Sequence, residues 1–140
     1  MIRKKGRNKS VKNSINFKKE IRSNVEGAIE RVTTALKDQG FGVLTRIDLH
    51  SKIKEKIGKD LQPTVILGAC NPQLAYEAYL QNSDVTSLLP CNVVIRQLGK
   101  DQVSIELAKP SAMMEILGDR ELVALAKDAD DRLQKVLEKV

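Results

Sequence analysis

Two alternating runs separated by three turn residues settle one piece of this chain before anything else. Cys91, Val93 and Ile95 alternate with Asn92, Val94 and Arg96, and Val103, Ile105 and Leu107 alternate with Ser104 and Glu106. Gly99-Lys100-Asp101 lies between the runs. Period-two alternation gathers one set of side chains on one face of a strand. A short Gly-containing turn joins such strands as antiparallel neighbours. A hairpin over residues 91–107 is therefore expected, and the rest of the chain has to cover its apolar face. Arg96 and Glu106 are placed to pair across the outer face, where an exposed ion pair adds little.

Upstream, helices and strands interleave. Ile15–Arg22 alternates in part and reads as a first strand. Ser23 and Glu26 form a capping-box pattern ahead of an apolar stripe, Val25, Ile29, Val32 and Leu36, which Gly40 ends. Phe41–Asp48 reads as a second strand with Phe41, Val43, Thr45 and Ile47 on one face. Asp48 is expected to cap a helix striped by Leu49, Ile53 and Ile57, with Gly58 stopping it and His50 facing solvent in its first turn. Thr64–Cys70, continuous and apolar, has the character of a doubly buried strand. Asn71-Pro72 then supplies an N-cap and a proline at the first helical position, for a helix burying Leu74, Ala75 and Ala78. Val85–Leu89 is a short apolar connector ending at Pro90.

After the hairpin, Pro110 opens a short helix holding Met113 and Met114, Gly118 punctuates it, and Asp119 caps a last helix. That helix places Leu122, Leu125, Ala126, Ala129, Leu133, Val136 and Leu137 on one side. The seven-residue spacing of 122, 129 and 136 would suit a coiled-coil partner, but packing on the domain's own sheet is the simpler use of the stripe. The expected class is α+β: a mainly antiparallel sheet of about five strands packed against helices, with a C-terminal amphipathic helix. Residues 15–140 form one domain, preceded by a basic, disordered arm over residues 1–14.

The charge supports that division. Residues 1–22 carry nine Lys or Arg against one acid, and the remainder carries 15 bases against 17 acids, so the net charge of +6 belongs to the arm. Arg3, Lys4, Lys5, Arg7, Lys9 and Lys12 are the candidate phosphate contacts of a weakly nucleic-acid-associated arm. No aromatic residue precedes Phe17, which leaves the arm without a stacking platform for single strands; a solvated leader is the plainer reading. A transit peptide is the other alternative, weakened by the arm's poor apolar face. No stretch has the length of a membrane span or the apolar core of a secretory signal. A cytoplasmic location without a membrane partner is expected, with both cysteines reduced.

Chemistry concentrates at two similar turns, Gly68-Ala69-Cys70-Asn71-Pro72 and Leu89-Pro90-Cys91-Asn92-Val93. Cys70, Asn71, Pro72, Cys91, Asn92 and Thr45 are the candidate ligand-binding residues of a small, non-enzymatic binding or accessory domain, with Tyr76 as a further neighbour. A thiol-redox or metal-linked protein using Cys70 and Cys91 is the alternative. A redox pair needs Cα atoms within about 7 Å, which holds only if the two strands run antiparallel side by side. Two Cys and one His fall short of the four ligands of structural zinc, so neither metal nor cofactor is expected. The helix dipole after Cys70 lowers a thiol pKa and burial raises it. Ordinary small core residues remain the plain reading of both cysteines. No GxSxG, P-loop or GxGxxG pattern occurs, and no catalytic residue is assigned.

Three segments in order, Gly40-Phe41-Gly42-Val43-Leu44-Thr45, Ile66-Leu67-Gly68-Ala69-Cys70-Asn71-Pro72 and Leu88-Leu89-Pro90-Cys91-Asn92-Val93-Val94, resemble the bacterial and archaeal family called domain of unknown function 302. The likeness runs from about Phe17 to Val140; the basic arm departs from it. The resemblance implies a compact α+β domain with a sheet backed by helices, and a homodimer. It implies no activity.

Overall fold

The computed structural model describes residues 15–140. Five strands, β1 (Asn16–Arg22), β2 (Gly42–Asp48), β3 (Thr64–Cys70), β4 (Cys91–Gly99) and β5 (Gln102–Ala108), form one sheet in the order β1-β5-β4-β3-β2. Every neighbouring pair is antiparallel. The helices are α1 (Val25–Asp38), α2 (Leu49–Ile57), α3 (Pro72–Gln81), α4 (Pro110–Glu115) and α5 (Arg120–Lys139), with a 3₁₀ turn over Ser83–Leu88. The α+β class, the five antiparallel strands and the C-terminal helix are as the sequence implies.

The hairpin forms as its alternation requires. Ile95 aligns with Ile105 and Val93 with Leu107, all buried. Val65, Leu67 and Ala69 of β3 join them, as does Ile21 of β1. Helices α1 and α5 close over this face with Ala28, Val32 and Leu36 from one and Ala129, Leu133 and Val136 from the other, in a single apolar cluster. The last stripe is therefore spent on the domain's own sheet. A smaller cluster, Val85, Met114, Leu122 and Ala126, lies where the 3₁₀ turn, α4 and α5 meet. The ends of the domain are tied as well: the Lys19 ammonium on β1 donates to the carbonyls of Leu137 (2.9 Å) and Val140 (3.0 Å) at the end of α5.

Several local expectations are corrected. The cap of α1 is Asn24, whose Oδ1 accepts the Gly27 N–H at 2.7 Å; Ser23 instead donates its hydroxyl to the Asn24 carbonyl. Glu26 turns to Arg46 (2.7 Å), which also grips Asp48 (2.7 Å) and holds both carboxyls below the usual carboxylate range. Asp48 is thereby diverted and its side chain makes no cap hydrogen bond to α2. His50 is not simply solvent-facing: its Nδ1 accepts the Thr64 N–H at 3.0 Å. The Arg96–Glu106 pair forms, but Glu106 is only 7% exposed and also accepts from Ser104 at 3.2 Å, so the pair is partly buried. The helix α3 leaves Leu74, Ala75 and Ala78 half-buried, with no residue fully inside.

The second strand departs most from its alternation. Val43 aligns with Ala69 and Thr45 with Gly68, so two steps on β2 match one on β3. This bulge at Leu44 reverses the facing of the residues beyond it. Val43 shares the covered side with Ala69, whereas Thr45 and Ile47 fall on the uncovered side and Arg46 turns in toward α1. Gly68 lies beneath Thr45, and a Cβ there would stand 2.7 Å from the Pro90 Cγ. Gly68→Ala is expected to destabilise the domain by about 1–3 kcal/mol through overpacking against the proline ring; urea unfolding of the two proteins measures it.

Candidate functional site

The β3–β4 pairing decides where the two cysteine turns lie. Ala69 aligns with Cys91 and Gly68 with Asn92. The end of β3 and the start of β4 are therefore adjacent at one end of the sheet, with Cys70 diagonal to Cys91. Residues directly opposite share a face and successive residues alternate. Cys91 accordingly shares the helix-covered side with Ala69, and Cys70 follows at the point where β3 gives way to α3.

A cavity of about 50 Å³ opens there, bordered by Cys70, Asn71 and Cys91. It occupies the seam between the two apolar clusters: Phe41, Ala69 and Ala129 from the larger face it, and so do Val85, Met114, Leu122 and Ala126 from the smaller. Helix α3 contributes Leu74, Ala75 and Ala78. The alanines create the space; longer side chains on α3 and α5 would fill it. A water needs roughly 10–15 Å³ and two or more polar partners. The cavity exceeds that volume several-fold but offers few polar atoms.

Asn71 is committed to structure. It is 8% exposed, its Oδ1 accepts the Leu74 N–H at 3.0 Å, and its carbonyl accepts the Ala75 N–H at 2.9 Å. Its amide nitrogen stands 3.0 Å from where a Cβ on Gly40 would be, and Gly40 has φ +85°, so glycine is doubly required there. The start of α3 is thus already capped. Pro72, exposed at its first position, has no N–H to offer an anion.

The thiols are held protonated. Burial pushes the Cys91 thiol up to about 11, with the charges of Cys70 and Asp130 adding to it. Burial also raises the Cys70 thiol. Asp130, 8% exposed on α5, accepts from the Ser111 amide at 3.0 Å and the Ser111 hydroxyl at 2.5 Å, which fixes the start of α4 against α5.

The remaining candidates do not converge on this cavity. Thr45 and Asn92 flank Gly68 on the uncovered face, in register across three strands. Tyr76 is 61% exposed on α3. Asn92 borders a neighbouring groove of about 290 Å³ with Leu88, Pro90, Met113 and Met114, and Leu89, Cys91 and Met114 are common to groove and cavity. Arg3, Lys4, Lys5, Arg7, Lys9 and Lys12 lie outside the described residues. Among the described residues no helix is long and apolar enough to cross a membrane. The sequence did not single out Met114, Leu122, Ala126 or Asp130 as site residues. Met114 and the α5 stripe were legible as apolar periodicity, but nothing in that periodicity says which strand end they meet.

The Cys91 environment carries a pH signature. Because its proton is held more tightly folded than unfolded, stability is unaffected below about pH 9 and falls as pH rises toward 11, where the unfolded thiol ionises first. The loss is expected to reach roughly 2–3 kcal/mol. Urea midpoints measured across this range should fall less steeply in Cys91→Ser.

The comparisons agree with the geometry. The family described as "Domain of unknown function DUF302" matches residues 17–140. A solved structure, "Crystal structure of uncharacterized conserved protein DUF302 from Bacillus stearothermophilus", is 31% identical, with a TM-score of 0.84 over 90% of this chain and 98% of that one. No curated protein matches the chain. With the family pattern spanning nearly the whole chain and a solved relative sharing sequence and fold alike, this protein belongs to the DUF302 family.

Proposed function

We propose that this domain is a non-catalytic binding module whose site is the cavity between the end of the β3–β4 pair and helices α3 and α5. One observation carries the reading: a pocket of about 50 Å³, partly open to solvent and lined by alanines and larger apolar groups, lies at the seam of two otherwise packed clusters. Protein interiors are normally packed to crystal density, and an apolar hollow at such a seam forfeits dispersion contacts that simple Ala-to-larger changes would recover. A compact apolar guest regains them. The protonated state of both thiols at neutral pH supports binding over nucleophilic chemistry, since the thiolate is the reactive form.

The test is thermal unfolding with a panel of small apolar probes. A probe at about 100 times its Kd is expected to stabilise the domain by about 2.7 kcal/mol. Ala75→Leu, on a half-buried position of α3 that faces the cavity, should fold and lose the response. Equal responses in both proteins would end the reading.

The partner we propose is a second copy of the chain, as the family resemblance implies. The uncovered face of the sheet supports it. Leu44, Ile47 and Leu98 are 64%, 44% and 41% exposed there, beside half-buried Ile66 and Val94. Leu44→Asp with Ile47→Lys is expected to convert a dimer to a monomer in light scattering at micromolar concentration, with little change in the far-ultraviolet circular dichroism. A monomeric starting protein removes the proposal.

A further inference from the structure

Helix α3 inverts the usual arrangement of a packed helix. Its cavity-facing side carries Leu74, Ala75 and Ala78. Residues three and four apart share a helix face, so Tyr76, Tyr79 and Leu80 gather on the outer side, where all three are at least 50% exposed. A surface helix normally turns its bulky apolar residues inward and its polar ones to water. The turn between α4 and α5 extends this patch. Asp119 accepts from the side chains of Gln81 (3.4 Å) and Asn82 (3.5 Å) at the end of α3, and Ile116, three residues earlier, is 69% exposed. Tyrosine offers a large rigid surface with a polar tip, which suits a contact face.

The charge around the patch is one-sided. No Lys or Arg occurs between Lys59 and Arg96, a stretch that holds β3, α3 and the 3₁₀ turn, and none occurs from Pro110 to Asp119. The acids on α3, the 3₁₀ turn, α4 and the turn after it are Glu77, Asp84, Glu115 and Asp119. The nearest bases beyond that turn are Arg120 and Lys127 on α5. Residues 1–14 carry the opposite charge, with six bases and no acid. They join the domain at Ile15, whose carbonyl accepts the Lys109 N–H at 2.7 Å just before α4 begins. The six residues of α4 advance about 9 Å from there toward Ile116. Fourteen extended residues reach about 46–50 Å, so the patch lies within their range.

We propose that the outer face of α3 is a docking surface for the basic segment of residues 1–14 of the same chain. Its lysines and arginines meet the rings of Tyr76 and Tyr79 and the carboxylates of Glu77, Asp84 and Glu115. Cations are drawn to aromatic faces, and the face carries acid without base along α3 and the 3₁₀ turn. Each exposed charge contact is weak on its own. Covalent linkage supplies the high effective concentration at which several weak contacts hold together. The face points away from the cavity, so this inference stands apart from the reading of the cavity as a binding site.

The chain carries its own probe. It has two tyrosines, Tyr76 and Tyr79, and no tryptophan, so tyrosine emission reports on this face alone. The experiment is acrylamide quenching of that emission in the full chain and in a full-length variant with Arg3→Gln, Lys4→Gln, Lys5→Gln, Arg7→Gln, Lys9→Gln and Lys12→Gln together. The wild type is expected to be quenched about 2-fold less at about 0.01 M salt, where the Debye length is about 30 Å, and equally at about 1 M, where it is about 3 Å. Glu77→Lys with Asp84→Lys, both at exposed positions, should raise quenching of the chain with its native bases and leave the six-fold variant unchanged. Equal quenching of wild type and six-fold variant at low salt would overturn the proposal, as would a Glu77→Lys, Asp84→Lys chain still protected like wild type. Protection that grows from micromolar to hundred-micromolar protein would assign the face to the segment of a second copy and overturn docking within one chain.

Discussion

The alignment of Ala69 with Cys91 is the constraint on which the rest of the molecule turns. The pair sits in the middle of the strand order, so its register decides which side chains of β3 and β4 face the helices. A slip of β3 by one residue against β4 would carry Val65, Leu67 and Ala69 out of the core together. The same alignment fixes the end of the sheet at which α3 departs and the 3₁₀ turn returns. Both clusters and the cavity between them are consequences of that single registration.

Gly68 is the local price of this arrangement. Thr45 from one neighbour and Pro90 from the chain entering the other close over it, and no side chain fits beneath them. The uncovered face is therefore tightest where the two cysteine turns come together. The covered face opposite remains loose, because α3 and α5 present alanines there. One end of a single strand pair is thus sealed on one side and hollow on the other.

Much of this was legible in the sequence, and the reason is periodicity. The hairpin, the α5 stripe and the Asn71 and Asp119 caps are all local patterns, and each forms at its expected place. What escaped were competitions between near neighbours. Asn24 displaced Ser23 as a cap, Arg46 drew Glu26 and Asp48 away from helix ends, and the bulge at Leu44 turned Thr45 to the uncovered side. The candidate site was half visible. Adjacent Cys-Asn pairs flagged the strand ends, and antiparallel pairing brought them together. Met114, Leu122 and Ala126 reach the same place through long-range packing, for which no pattern in one sequence gives an address.

The bond from Lys19 to the carbonyl of Leu137 spans 118 positions along the chain, and among the described residues β1 finds its strand partner only in β5. A ribosome delivers β1 early and its neighbour late. During synthesis, then, the first strand waits with its ladder groups open, and the sheet cannot be completed on that side until most of the domain has emerged. Folding dominated by such distant pairings is slow, and an unpaired edge invites wrong partners. The lysines of β1, Lys18 and Lys19, are well suited to that interval: charge on a waiting edge discourages aggregation before the proper neighbour arrives.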